Sequence, residues 1–219
     1  MSKKEEYCDL AVLDPQAFKK SNILKNTFLF KRLFDVTVSF LFILVLFPIM
    51  LLLGFLIVQE SPGKAIFSQW RVGLNGVPYK MLKFRSMHET RVDDLVNFAE
   101  VDDKRITRIG RFIRRHRIDE WPQLFNVLKG EMSLIGPRPE QVKIFEELVN
   151  LIPTYSLRVL VRPGITGWAQ VNIGYTDDLQ GANKKVAYDL YYISNHSLVL
   201  DLKIVLRTVA VIFGGFGAR

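Results

Sequence analysis

From Val36 to Val58 no charged residue occurs, and only Thr37, Ser39, Pro48 and Gly54 interrupt the apolar run. As a helix this run measures roughly 35 Å, enough to cross a hydrocarbon layer of about 30 Å. Just upstream, Phe28 to Phe34 is apolar but carries Lys31 and Arg32, which suits a helix start whose basic tips reach lipid phosphates. Beyond Glu60-Ser-Pro-Gly63 the periodicity changes. Ala65 to Gly73 reads as a strand with a turn after it, and Tyr79 to Met87 alternates, so that Lys83 and Arg85 share a face. Residues 88–104 are acidic and polar, as in a loop or surface helix. Arg105, Arg108, Arg111 and Arg114 then recur at every third position, with Ile106, Ile109 and Ile113 on another side. That spacing predicts a basic amphipathic helix.

Trp121, Leu124, Phe125 and Leu128 recur at helical spacing, and Pro122 is tolerated only in a first helical turn. A helix from about Asp119 to Lys129, stopped by Gly130, follows. Glu140–Val149, Thr154–Val161 and Lys184–Tyr192 also read as helices. Val161–Asn172 is a glycine-punctuated loop ending in a short strand, and Ser197–Phe213 is apolar but broken by Asp201, Lys203 and Arg207. The latter is too interrupted to span and suits an amphipathic helix on a membrane surface. The expected class is a mainly helical α+β fold without internal repeats.

The net charge of +8 and pI near 9.6 direct attention to anionic partners: nucleic acid, anionic lipid or phosphorylated substrates. Cys8 is the single cysteine, which excludes an internal disulfide and any thiolate-rich metal site. His88, His116 and His196 have no metal-ligand spacing, whereas a Mg²⁺ held by carboxylates and phosphate oxygens needs few protein ligands. Residues 1–26 are too charged for a signal peptide and no cleavage site follows the apolar run. Composition slightly favours a single spanning helix. Basic residues on both flanks, however, disfavour either side lying outside, and Pro48 could turn the segment back as a hairpin.

The chemistry concentrates between Arg114 and Glu140. Asp119 and Glu120 are adjacent and point roughly 100° apart, so one can face a reacting phosphorus while the other reaches a metal or supporting group. In Gly136-Pro-Arg138-Pro139, two prolines fix the backbone around an arginine fork suited to a multiply charged oxyanion. Arg162 stands against Pro163 in a similar way. Three readings are open on these residues: a phosphoryl-transfer enzyme at a membrane surface, a membrane-tethered nucleic-acid binder, and an anchor for anionic lipid. The binder leaves Asp119 and Glu120 facing a polyanion, and the anchor leaves the fixed arginines without a task.

Lys83-Phe-Arg-Ser-Met87, Asp119-Glu-Trp-Pro-Gln-Leu-Phe-Asn-Val-Leu-Lys-Gly-Glu-Met-Ser-Leu-Ile-Gly-Pro-Arg-Pro139, Arg162-Pro-Gly-Ile-Thr-Gly-Trp-Ala-Gln-Val-Asn172 and Tyr188-Asp-Leu-Tyr-Tyr192 resemble the bacterial sugar transferases, the monotopic phosphoglycosyl transferases. The likeness runs in order from about Phe30 to the C-terminus. It implies transfer of a sugar 1-phosphate from a UDP-sugar to undecaprenyl phosphate with Mg²⁺ and release of UMP, starting a surface glycan. It implies Asp119 as nucleophile with Glu120 as its partner, both near the metal. Arg114, Arg138 and Arg162 match phosphate-facing arginines, Lys83 and Asp189 match further site positions, and Arg85 and Gln170 lie within the matching motifs. The resemblance also makes residues 27–60 a re-entrant hairpin broken at Pro48, after a polar segment 1–26 and before a cytosolic catalytic domain 61–219 with interfacial helices. Both flanks are then cytoplasmic, at the bacterial inner membrane and among its lipids. No nucleic-acid partner is expected, and a homodimer stays open.

The sequence departs from that family in three ways. Larger members carry a multi-span domain upstream. Phe47 stands where a small polar residue often precedes the hairpin proline. Ile173 and Gly174 stand where many members have Gly-Arg, so the sugar carried is not transferable from a relative.

Overall fold

A computed structural model describes residues 23–88, 103, 105–173 and 179–214. The apolar run forms one helix, α1 (Ile23–Glu60), with Pro48 inside it. Lys31, Asp35, Ser39, Met50 and Ile57 are buried on one stripe, whereas large apolar side chains from Phe40 to Phe55 are exposed on the others. An exposed apolar face of this extent marks a lipid-facing element. The helix–break–helix hairpin expected at Pro48 is not the backbone found, because helical conformation continues on both sides of the proline. Proline removes one hydrogen bond and crowds the preceding turn, which bends a helix without having to end it.

Strands β1 (Ile66–Val72) and β2 (Pro78–Phe84) form an antiparallel hairpin in which Phe67 opposes Lys83 and Arg71 opposes Tyr79. Asn75 and Gly76 take positive φ in the connecting turn, the conformation these two residue types tolerate. Tyr79, Met81 and Lys83 share one strand face. Tyr79 and Met81 pack against Val127 and Met132, which leaves Lys83 at the open end of that face. The assigned strand ends at Phe84, and the Arg85 N–H carries the pairing one residue further, to Ala65 O at 2.8 Å.

Helix α2 (Arg108–Arg115) begins after Thr107, whose Oγ1 accepts from the Gly110 N–H at 2.8 Å. Arg105 lies before the helix and pairs with Asp103. The chain then passes through Arg117 at positive φ into a 3₁₀ turn, Ile118–Glu120. Helix α3 (Gln123–Lys129) follows and stops at Gly130 with φ of 87°. The carboxylate pair therefore precedes the α-helix instead of opening it. The N–H groups of Trp121, Leu124 and Phe125 bond three residues back, and Pro122 has no N–H to offer a longer ring.

Short strands β3 (Ser133–Ile135) and β4 (Gly164–Thr166) pair in parallel. Between them lie α4 (Val142–Leu151) and a 3₁₀ segment, Pro153–Leu160. The loop Val161–Asn172, expected to end in a short strand, ends instead in a short helix, α5 (Trp168–Asn172). Helices α6 (Leu179–Ser194) and α7 (Leu198–Gly214) complete the described chain. The main core joins Ile135, Tyr155, Leu190, Tyr192, Ile193 and Ile204, and a second cluster packs Met50 and Ile57 of α1 against Phe84 and Ile113. Helix α7 buries Asp201 and Ile204 while exposing Leu198, Val199, Leu202, Val205, Leu206 and Val209, the expected amphipathic face. The expectations for residues 1–22 and for 89–102 lie outside the described residues.

Candidate active site

The 3₁₀ turn carries Asp119 and Glu120 to the open end of β2 and beneath the Gly136–Pro139 turn. Glu120 is buried, and its Oε1 accepts from Lys83 Nζ at 2.9 Å and from Arg138 Nη2 at 2.7 Å. Asp119 lies further from the cations, with its Oδ2 3.9 Å from Lys83 Nζ. The two carboxylates consequently have opposite electrostatics. Burial works against the Glu120 charge, but Arg138 and then Lys83 outweigh it and hold that carboxyl well below the usual range. Burial and then the Glu120 charge push Asp119 up to about 6, against the pull of Lys83, Arg138 and Arg114.

Arg138 owes its position to main-chain bonds on several sides. The Gly136 N–H donates to Thr166 O and the Gly164 N–H to Pro137 O, both at 2.9 Å. Arg71 Nη1 donates to Pro139 O at 3.2 Å, and the Val72 N–H to Glu140 O at 3.0 Å. The approach of Gly136 to Gly164 is so close that a Cβ on either residue would collide with the facing backbone. Arginine flanked by two prolines is thus locked by tertiary contacts as well as by ring geometry.

Of the residues singled out in the sequence, Lys83, Asp119, Glu120 and Arg138 come together, and Arg114 acts on Asp119 through its charge from the last turn of α2. The others are engaged elsewhere. Arg85 bonds the carbonyls of Ser61 and Pro62, tying the end of β2 to the exit of α1. Arg162 Nε donates to Gly130 O at 2.9 Å, beyond the far end of α3 from Glu120. Gln170 Nε2 donates to Ile165 O at 3.1 Å. Asp189 is buried and accepts from Arg158 Nε at 2.7 Å. Arg71 and Arg158 were not among the residues singled out in the sequence: their bonds to Pro139, Arg138 and Asp189 join distant parts of the chain and leave no local signal.

Among the described residues no three metal-ligating side chains cluster. The donor set that remains is the Asp119–Glu120 pair. Mg²⁺ fits it, since that ion is commonly held by one or two carboxylates together with substrate phosphates and water. Glu120 Oε1 is already taken by two cations, which leaves Asp119 and the second Glu120 oxygen for such a role.

The family model described as bacterial sugar transferase matches residues 26–215. Among relatives, the chain is 48% identical over 189 residues to a UDP-N-acetylgalactosamine-undecaprenyl-phosphate N-acetylgalactosaminephosphotransferase of Aeromonas hydrophila, covering 86% of this chain and 45% of that protein. It is 47% identical over 189 residues to a UDP-glucose:undecaprenyl-phosphate glucose-1-phosphate transferase of Klebsiella pneumoniae, covering 85% and 40%. An exopolysaccharide production protein of Rhizobium leguminosarum bv. phaseoli is 43% identical over 189 residues, covering 82% and 92%. The chain therefore spans less than half the length of the first two relatives. The matched span contains all but the first three residues of α1, the dyad and the Arg138 turn in one stretch, and on that ground the chain belongs to the bacterial sugar transferase family.

Proposed function

We propose that the chain transfers a sugar 1-phosphate from a UDP-sugar to undecaprenyl phosphate. The observation that carries this reading is the division of the dyad. Lys83 and Arg138 are directed at Glu120, while Asp119 keeps a carboxylate close to these cations but more than hydrogen-bond distance from Lys83. Such a carboxylate suits a nucleophile toward phosphorus. Asp119 Oδ attacks the sugar-bearing phosphorus, the bond from that phosphorus to the bridging oxygen breaks, and UMP leaves with the electron pair. An oxygen of undecaprenyl phosphate then attacks the aspartyl phosphorus, which frees Asp119 and forms the lipid diphosphate sugar. Arg138 and Arg114 offset charge on the non-bridging oxygens. Mg²⁺, held by Asp119 and Glu120, supplies further neutralisation of phosphate charge when bound.

The same reading places α1 in one leaflet of the inner membrane with both ends on the cytoplasmic side. Its support is that both ends bond to one domain: Lys31 Nζ donates to Asp201 Oδ2 at 2.8 Å, and the Glu60 carboxylate accepts from the Arg108 and Ile109 N–H groups. A continuous helix that stays on one side of the bilayer, bent at most at Pro48, satisfies that constraint. The sugar is left to experiment, with UDP-glucose and UDP-N-acetylgalactosamine first in a panel of donors.

The test is incubation of the purified chain with Mg²⁺, undecaprenyl phosphate and each donor, following UMP. With donor alone, the protein should release at most about one UMP per site and gain the mass of a sugar phosphate on Asp119, as double displacement requires. UMP that appears only when the lipid is present, with no adduct, would remove Asp119 as nucleophile.

A further inference from the structure

Behind the Arg138 turn lies a set of buried charges that the transfer steps do not use. Arg158, from the 3₁₀ segment, is buried and stacks its guanidinium 4.5 Å above the Tyr155 ring. Its Nε donates to Asp189 Oδ2 at 2.7 Å, and its Nη1 lies 3.6 Å from Glu140 Oε1. Tyr155 and Lys185 also donate to Glu140 Oε1. The remaining nitrogen, Nη2, leaves this group and donates to the main-chain oxygen of Arg138 at 2.9 Å.

A buried ion cluster is weak evidence for stability, since removing its charges from water costs about as much as their attraction returns. The direction of Nη2 is more informative. It runs to the residue whose own guanidinium holds Glu120, so a single chain of bonds leads from Asp189 through Arg158 and Arg138 to the dyad. We infer that Arg158 and Asp189 are positioning residues, which fix the main chain of Arg138 and so keep its guanidinium on Glu120. The inference rests on Arg138 serving the phosphoryl transfer proposed above. Asp189 orients the planar fork, and the fork spans two partners at once. Lysine at position 158 has the charge but not the fixed angle between donors.

Two substitutions in the full chain, Arg158→Lys and Asp189→Asn, test this, each alone and combined with Arg138→Lys. Turnover is followed as UMP release with Mg²⁺, undecaprenyl phosphate and UDP-glucose or UDP-N-acetylgalactosamine. Hydrogen exchange is read over residues 133–141. Each single substitution should lower kcat about tenfold or more with donor KM changed less than about threefold, because misplacement acts on the transition state. In the Arg138→Lys background the same substitutions should cost less than about twofold more, the signature of residues acting through one another. Exchange over 133–141 should rise in both single variants. Losses that multiply with that of Arg138→Lys, or exchange that does not change, would overturn the positioning role. Full turnover by Arg138→Lys would instead overturn the part assigned to Arg138 in the reaction, and exchange would then decide alone whether the turn is positioned. Arg158→Lys retains a buried cation beside Asp189, so it serves where Asp189→Asn fails to fold.

Discussion

Asp119 and Glu120 are neighbours in sequence, yet neutralising them should shift stability in opposite directions. Asp119 has a pKa of about 6 against an ordinary 3.8, so the folded chain binds that proton more tightly than the unfolded chain does. Stability from this proton is complete below about pH 4 and is lost as pH rises through 6. Above pH 7 the ionised Asp119 is thus a cost, and Asp119→Asn should raise stability by on the order of 1–3 kcal/mol while abolishing transfer. Glu120 has the reverse sign. Its carboxyl is held below its ordinary 4.5 by Arg138 and Lys83, so its contribution is present above that value and lost on acidification. Glu120→Gln leaves two cations without their anion and should destabilise by on the order of 2–4 kcal/mol. Thermal unfolding of both variants at pH 8 checks the pair, and equal signs would refute the division of charge.

At the scale of elements, the dyad turn depends on the helices that enter and leave it. Besides its own cap Thr107, helix α2 takes two N-terminal bonds from another element: Glu60, the last residue of α1, accepts from Arg108 N at 2.7 Å and from Ile109 N at 2.9 Å. Glu60→Ala should cost about 1 kcal/mol, as loss of an N-cap does, and should lower turnover because α2 carries Arg114 toward Asp119. Turnover unchanged despite a lowered Tm would separate the cap from the site. Several of these elements were legible in the sequence because their causes are local. The uncharged run of α1, the alternation around Lys83, the Gly130 stop and the prolines around Arg138 each act within a few residues. What was not legible depends on distant partners. Arg162 Nε reaches the Gly130 carbonyl, 32 positions back in the chain. Asp189 meets Arg158, 31 positions away in the chain. The start of α3 was missed by four residues, because bonds three residues back around Pro122 compete with a regular first turn.

At the scale of the whole molecule, α1 grips both helices that flank the dyad. Glu60 holds the start of α2, and Arg32 donates to the Val127 and Leu128 carbonyls at the end of α3, at 2.6 and 2.9 Å. Lys31 adds a buried bond to Asp201 on α7, so three elements of one domain are fastened to one membrane helix. Along a straight helix Lys31 and Glu60 would be about 43 Å apart, more than the thickness of a hydrocarbon core of about 30 Å. A helix crossing that layer would put one of these ends on the far side, away from the domain to which both are bonded. Both flanks of α1 are therefore expected on one side, the cytoplasm under the function proposed above, and labelling with a membrane-impermeant maleimide can examine it. Native Cys8 reports on the upstream flank, and Lys64→Cys in a Cys8→Ser background reports on the downstream one. In intact cells neither thiol should react, and in permeabilised cells both should. Reaction of Cys8 alone in intact cells would mean that α1 crosses the bilayer, and the Lys31–Asp201 bond could not then hold in the membrane. Lys31→Gln leaves Asp201 without its cation and should lower the thermal stability of the chain, while Arg32 and Glu60 keep α1 on the domain and the labelling pattern unchanged.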